Sequence, residues 1–134
     1  MKGCVLGDLV MNVKNSILVI DDETNLRKTL ASILTRSGYQ VTTAADGQSA
    51  LKALKASKFD LVIVDVQLPD IGGIRLSQQI YKKHPGIPVI IFTARPESEI
   101  NDFHSGKNIG AYLVKPVDPE VILNTLEKML HQTT

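Results

Sequence analysis

Residues 59–73 read FDLVIVDVQLPDIGG, in which a short apolar run, Leu61 to Val64, is followed directly by Asp65. The run is rich in β-branched residues and shows no alternation of apolar and polar positions. Such runs are typical of strands that are buried on both faces, and hence of parallel sheets. We therefore predict that Asp65 lies at the carboxyl end of a central strand and leads into the loop that follows.

Three other apolar runs have the same character, namely Ile17 to Ile20, Val89 to Phe92 and Ala111 to Val114. They predict three more strands that are buried on both faces. The segment from Tyr39 to Ala45 is more polar and alternates along its length, which favours a strand at the edge of the sheet. The chain is thus expected to contribute five strands.

In chain order, the first three predicted strands are each followed by a segment with helical periodicity. The first amphipathic helix is predicted by the i, i+4, i+7, i+8 spacing of its apolar residues, and the next two by shorter apolar sets. The apolar residues are Leu26, Leu30, Ile33 and Leu34 in the first helix, Ala50, Leu51 and Leu54 in the second, and Ile74, Ile80 and Tyr81 in the third. The first helix is expected to end at Gly38, the second to begin at an N-cap on Asp46, and the third to stop before Pro85.

The last two helical segments differ from each other. Between residues 95 and 109 the apolar face is thin, and Gly106 and Gly110 interrupt the predicted fourth helix. The final segment has Asp118 as its N-cap and Pro119 in its first turn. The five βα units that result predict a five-stranded parallel sheet with helices on both faces, because the crossovers are right-handed.

Composition indicates one ordinary domain. Of the 134 residues, 43% are hydrophobic and 22% are charged, and the net charge is +1. This balance provides no general attraction to nucleic acid or to an anionic membrane, and no apolar run has the length of a bilayer span. Cys4 is the single cysteine, which favours a reducing compartment. We predict a cytoplasmic protein without membrane or nucleic-acid partners, with residues 1–15 as an extension and residues 16–134 as the domain.

Chemically useful side chains follow the predicted strands. Asp21 and Asp22 come after the first, Asp65 after the third, Thr93 after the fourth and Lys115 after the fifth. Each alone has an ordinary interpretation, since an acidic residue there is usually a helix cap and a threonine a turn former. Because the carboxyl ends of parallel strands meet at one edge of the sheet, we expect all of these groups to converge.

This combination of groups points to phosphoryl transfer. Clustered carboxylates repel one another unless a cation neutralises them, and Mg²⁺ is a natural partner for oxygen ligands. A metal beside a carboxylate, a hydroxyl and a lysine can share the charge of a transferring phosphoryl group. A carboxylate can also be the nucleophile and become an aspartyl phosphate, and Asp65 is the best candidate.

Four segments, in this order and at these separations, resemble bacterial response-regulator receiver domains: ILVIDDE, FDLVIVDVQLPDIGG, VIIFTA and AYLVKP. The resemblance covers residues 16–131. It implies a flavodoxin-like three-layer α/β sandwich with strand order 2-1-3-4-5, an order that periodicity alone does not provide.

The resemblance also implies a role for each metal-site residue. Asp65 matches the phosphoacceptor and is also a ligand of the ion. Asp22 matches the direct metal ligand, whereas Asp21 holds the metal through water. The resemblance implies the backbone carbonyl of Gln67 as a further ligand.

The phosphoryl-binding and switching groups follow from the same resemblance. Thr93 and the backbone N–H of Ala94 are expected to bind phosphoryl oxygens, and Lys115 to pair with the phosphoryl group and with Asp65. The Lys115–Pro116 bond is expected to be cis. Thr93 and Tyr112 match the switch residues, the aromatic ring moving from exposed to buried upon phosphorylation.

Such a domain is expected to be a signalling switch rather than an enzyme. It takes its phosphoryl group from a sensor histidine kinase or a histidine phosphotransfer protein. Its output is expected as altered partner binding or as a homodimer formed through the fourth predicted helix, the fifth strand and the last helix. The sequence leaves open whether the chain is a stand-alone receiver or part of a longer regulator.

The sequence departs from the family pattern beside the phosphoacceptor loop. Most members have Asp or Asn before the glycine at position 73, whereas this chain has Gly72, which predicts a looser loop. The stretch 95–109 also lacks the usual alanine-rich helix.

Two rival functions are weaker. A phosphatase of the haloacid-dehalogenase type needs a second acid two residues after the nucleophile, where this chain has Gln67. A nucleotide-binding module needs a glycine-rich loop after the first strand, where this chain has the acidic sequence DDETN.

Overall fold

The computed structural model describes residues 15–93, 108–116 and 118–131. Five parallel strands form one sheet in the order β2-β1-β3-β4-β5, which confirms the predicted flavodoxin-like fold. The elements in chain order are β1 (Ser16–Ile20), α1 (Thr24–Arg36), β2 (Gln40–Ala44), α2 (Gly47–Ala56), β3 (Leu61–Asp65), α3 (Gly73–Lys83), β4 (Val89–Thr93), β5 (Ile109–Val114) and α4 (Pro119–His131).

Each face of the sheet has its own hydrophobic core, so the molecule has three layers. Alternate residues of the central strands supply the two cores, because successive side chains point to opposite faces. One core contains the apolar residues of α2 and α3, and the other contains those of α1 and α4. The helical residues buried in these cores are Ala50, Leu54, Ile74, Leu76 and Ile80 on the first face and Leu30, Leu34, Ile122 and Leu126 on the second.

The central strands have the burial that their sequences predict, whereas one outer strand does not. Every residue of β3 and β4 is buried, and β2 is a largely exposed edge strand as expected. The prediction that the Ala111–Val114 run is buried on both faces is wrong, because the strand order places β5 at the other edge. Val114 is 48% exposed.

The start of β5 also corrects the expected position of Gly110. The residue lies inside this strand rather than interrupting a helix, and the strand begins at Ile109. A Cβ at Gly110 would overlap with the Sδ–Cε end of Met129 on α4, so a larger residue there would require the Met129 side chain to move. The rest of the predicted fourth helix lies outside the described residues.

The structure confirms the predicted helix boundaries. Gly38 follows the C-cap of α1 with a φ of 100°, a conformation that favours glycine. The Asp46 carboxylate accepts the N–H of Ser49 at 2.8 Å, and the Asp118 carboxylate accepts that of Glu120 at 2.9 Å. Helix α3 ends at Lys83, before Pro85. Among the described residues, no helix has the length and apolarity needed to cross a membrane.

Candidate functional site

The register of the sheet brings the predicted site residues to one edge. Ile20 at the end of β1 pairs with Val64, and Asp65 pairs with Phe92 of β4. The side chains that end these strands therefore lie at the same level. Asp21, Asp65 and Thr93 are 2%, 6% and 1% exposed, so their polar groups are shielded from most of the solvent.

The Lys115 ammonium joins two of the carboxylates. Its Nζ lies 3.2 Å from Asp21 Oδ2 and 3.1 Å from Asp65 Oδ2. The backbone N–H of Lys115 donates to the Thr93 carbonyl at 2.7 Å. This hydrogen bond places the Cα of Lys115 beside the end of β4. The Lys115–Pro116 peptide bond is cis, as expected.

Backbone groups hold the Asp21 carboxylate in place. The Glu23 N–H donates to Asp21 Oδ1 at 2.8 Å, and the Asp21 N–H donates to the Ala44 carbonyl at 3.1 Å. On the first turns of α1, Arg27 Nη1 donates to the Asp21 backbone oxygen at 2.7 Å. Asp21 is thus anchored through its main chain as well as through its side chain.

The Asp65 carboxylate has a partner for each oxygen. Oδ1 accepts the Gln67 N–H at 3.1 Å, and Oδ2 faces Lys115. At the start of α3, a Cβ on Gly73 would overlap with the Asp65 carbonyl oxygen. Helix α3 can therefore approach the end of β3 only with glycine at its first position.

Burial has the largest effect on the pKa of the Asp65 carboxyl. It raises the pKa of the Asp65 carboxyl, and although the Gln67 N–H and the Lys115 ammonium lower it, the pKa remains above its ordinary value. An ion pair alone would lower that pKa. Burial also lowers the pKa of the Lys115 ammonium, but the hydrogen bonds and charges of Asp65 and Asp21 outweigh this effect and raise it. Lys115 is therefore positively charged at neutral pH.

The three acidic side chains form a group that fits a divalent cation. One carboxylate oxygen from each of Asp21, Asp22 and Asp65 lies within 4.8 Å of the other two. Asp22 is exposed, whereas the other two are buried, so the group opens to solvent on the Asp22 side. All of these donors are hard oxygens, the ligand type that Mg²⁺ prefers.

The predicted switch residues lie on two neighbouring strands. Thr93 ends β4 and is buried. On β5, Tyr112 is half-buried and packs against the core that α2 and α3 cover, whereas Leu113 packs against the opposite core. This confirms that Tyr112 and Leu113 occupy opposite faces. Ala94 lies outside the described residues.

Sequence reasoning missed two residues around the site. Arg27 supports Asp21 from α1, and Asp70 joins the loop after β3 to the start of α2. A signal existed for Asp70, because acidic side chains favour the amino-terminal ends of helices. The sequence does not show which helix the Asp70 carboxylate would contact.

The chain is similar to known proteins both in sequence and in fold. Residues 17–127 match the family described as the response regulator receiver domain. The alkaline phosphatase synthesis transcriptional regulatory protein PhoP of Bacillus subtilis (strain 168) is 37% identical over 125 residues, which is 92% of this chain and 50% of that protein. The chain spans about half the length, or less, of the curated relatives it matches.

Two solved structures have the same fold. A CheY-like response regulator receiver domain protein from Methanospirillum hungatei JF-1 has a TM-score of 0.83 and 30% identity, covering 88% of this chain and 94% of that one. The response regulator TrrA from Thermotoga maritima, solved in complex with Mg²⁺-BeF, has a TM-score of 0.78 and 33% identity, covering 86% and 98% of the two chains.

The raised pKa of Asp65 predicts a pH-dependent stability difference between the parent and Asp65→Asn. Ionised Asp65 opposes folding above its raised pKa, and this cost disappears once the pH falls below the ordinary value of 3.8. The parent should therefore gain stability relative to Asp65→Asn as the pH is lowered from about 7 to below about 4. Urea denaturation in the presence of a chelator measures this difference.

Asp22→Asn is the matched control, because it removes the exposed carboxylate of the same cluster. Because Asp22→Asn keeps Asp65, it should gain stability relative to Asp65→Asn on acidification, as the parent does. A parent that instead loses stability relative to Asp65→Asn on acidification would contradict the assignment of a raised pKa.

Proposed function

The chain belongs to the response regulator receiver domain family, and from this premise we propose that it is a Mg²⁺-dependent switch phosphorylated on Asp65. The observation that carries the proposal is the meeting of buried Asp65 with Asp21, Asp22 and Lys115 at one sheet edge. The phosphoryl donor is a sensor histidine kinase or a histidine phosphotransfer protein.

The transfer needs one nucleophilic oxygen and one leaving group. An Asp65 carboxylate oxygen attacks phosphorus and forms an O–P bond, while the P–N bond to the donor imidazole breaks. The electron pair of that bond returns to the imidazole nitrogen, which takes up a proton. The product is an aspartyl phosphate, a known form of covalent catalysis by carboxylates.

The carboxylates of Asp21, Asp22 and Asp65 and the Gln67 carbonyl would hold Mg²⁺. When bound, the ion neutralises negative charge on the transferring phosphoryl oxygens. Without it, the acidic cluster would repel a phosphoryl donor, which is why we expect the reaction to require the metal.

Three other groups would contact the phosphoryl oxygens directly. The Lys115 ammonium, already 3.1 Å from Asp65, pairs with a phosphoryl oxygen. The Thr93 hydroxyl and the Ala94 N–H donate hydrogen bonds to the others. Preorganised donors of this kind stabilise the charge that develops during transfer.

We assign the chain a signalling role rather than a phosphatase role. A phosphatase with an aspartate nucleophile needs an acid two residues further on, and Gln67 has no ionisable proton to donate. The relative PhoP is named as a transcriptional regulator, so we propose that residues 16–134 act as the receiver unit of a transcriptional response, with residues 1–15 as an extension. Its output surface would comprise β5, α4 and the segment before β5, through which it could also form a homodimer.

Incubation with acetyl phosphate and Mg²⁺ tests the proposal directly. The parent should gain one phosphoryl group by intact mass, and should gain none when a chelator removes the metal. Asp65→Asn should gain none, because the nucleophilic carboxylate is absent.

The control is Asp60→Asn, which removes an exposed carboxylate just before β3, at the opposite end of this strand. It should be phosphorylated like the parent. Equal phosphorylation of Asp65→Asn and the parent would contradict the assigned acceptor.

We further propose that the switch passes through Thr93 and Tyr112. A ligand shifts a two-state equilibrium only through a difference in its interactions with the two states. The new interaction is the hydrogen bond from the Thr93 hydroxyl to a phosphoryl oxygen, which draws the end of β4 inward. Tyr112 on β5 then moves from half-buried to fully buried.

Nuclear magnetic resonance with beryllofluoride and Mg²⁺, a mimic of the aspartyl phosphate, measures this coupling. In the parent, we expect chemical-shift changes both at the site and around Tyr112. In Thr93→Ala, the changes at the site should remain while those around Tyr112 and α4 are lost. If the changes around Tyr112 survive in Thr93→Ala, the coupling does not pass through the hydroxyl.

A further inference from the structure

We propose that Asp70 is a positioning residue for this site: it fastens the loop that contains Gln67 to the amino-terminal end of α2. The inference rests on the proposed function, because the loop matters through the Gln67 carbonyl as a metal ligand. The loop comprises residues 66–72, between β3 and α3.

The Asp70 carboxylate bridges the loop and the helix. Its Oδ1 accepts the Gly47 N–H at 2.9 Å, and its Oδ2 accepts the Gln48 N–H at 3.0 Å. Oδ1 also accepts the N–H of Ile71, its own neighbour, at 2.8 Å. Gly47 and Gln48 form the first turn of α2, whose N–H groups have no partners within the helix. The carboxylate thus satisfies helix donors from a residue outside that helix.

The charge state of Asp70 agrees with this geometry. The hydrogen bond from Gly47 foremost, and those from Gln48 and Ile71, hold the pKa of the Asp70 carboxyl below its ordinary value. The side chain is therefore ionised at neutral pH, and its hydrogen bonds are charge-assisted.

Close packing reinforces the same contact. A Cβ on Gly47 would overlap with Ile71 Cγ2, so the loop and the helix approach as closely as a glycine permits. Within the loop, the Leu68 side chain is buried in the core that α2 and α3 cover, and the Ile71 side chain packs against the same core. A change at this contact would consequently shift the loop rather than be absorbed by open space.

The two ends of the loop lie at the site. At its start, the Gln67 N–H donates to Asp65 Oδ1 at 3.1 Å. At its end, the Gly73 N–H donates to the Val66 carbonyl at 2.8 Å. Between them Gly72, with a φ of 85°, has no side chain to contribute an anchor. Asp70 supplies one, so its removal would let the peptide units of the loop, including that of Gln67, sample more orientations.

Helix α2 provides a matched control for this role. The carboxylate of Asp46 also accepts an N–H of its first turns, that of Ser49, at 2.8 Å, but Asp46 lies outside the loop. Asp70→Ala and Asp46→Ala therefore each remove a carboxylate that accepts N–H groups at the same helix end. Only Asp70→Ala releases the loop.

The test compares Mg²⁺ dissociation constants by calorimetry and unfolding temperatures by circular dichroism for the parent and both variants. We expect Asp70→Ala to weaken Mg²⁺ binding by about tenfold, as removal of supporting groups does in other metal sites. Asp46→Ala should lower the unfolding temperature yet leave the Mg²⁺ dissociation constant within about twofold of the parent's. Asp70→Asn retains one acceptor oxygen, so it should recover part of the lost affinity.

Equal Mg²⁺ affinities in Asp70→Ala and Asp46→Ala would overturn the inference. If Asp70→Ala does not fold, Asp70→Asn replaces it, because it loses the charge and one of the two acceptor oxygens that hold the loop; parent-like Mg²⁺ affinity in that variant would also overturn the inference. A parent that binds no Mg²⁺ would instead contradict the proposed function, so the two failures are distinguishable.

Discussion

The carboxylates of Asp21 and Asp65 are buried side by side at the sheet edge, with the Lys115 ammonium 3.2 Å and 3.1 Å away. Burying a charge is costly unless it is paired and hydrogen-bonded. Two buried carboxylates with one ammonium between them leave excess negative charge, and Asp22 adds to it from the exposed side. The site therefore favours a further cation.

This constraint explains why several distant elements must meet. Strands β1 and β3 are neighbours, whereas β5 is separated from β3 by β4. Lys115 consequently reaches its partners across the end of β4, and its backbone hydrogen bond to Thr93 sets the starting point. The sheet order, the length of the lysine side chain and the glycine at position 73 all serve the placement of Asp65.

Much of this arrangement could be predicted from local sequence. The buried runs of β3 and β4 and the caps at Asp46 and Asp118 are visible as composition and spacing, and they are confirmed. The strand order follows from the family resemblance, because periodicity does not show which strands are neighbours. The partial burial of β5 cannot be predicted in this way, since an apolar run has the same sequence pattern at the edge of a sheet as in its centre.

Other features depend on tertiary contacts that no local pattern encodes. Gly110 looks like a helix breaker in sequence, and only the packing of α4 shows that it makes room for Met129. Asp70 lies 22 residues from Gln48, the partner of its Oδ2, so its role requires the loop and helix to be placed first. The roles of Thr93, Ala94 and Tyr112 stay predictions, because they concern the phosphorylated state.

In the proposed mechanism, the carboxylates at the ends of β1 and β3 together form one Mg²⁺ site. Calorimetric titration of Mg²⁺ into the parent and Asp22→Asn tests this site, with Asp60→Asn as the control. We predict saturable binding by the parent and by Asp60→Asn, and binding weaker by at least about tenfold in Asp22→Asn. Equal Mg²⁺ affinity in the parent and Asp22→Asn would contradict the claim.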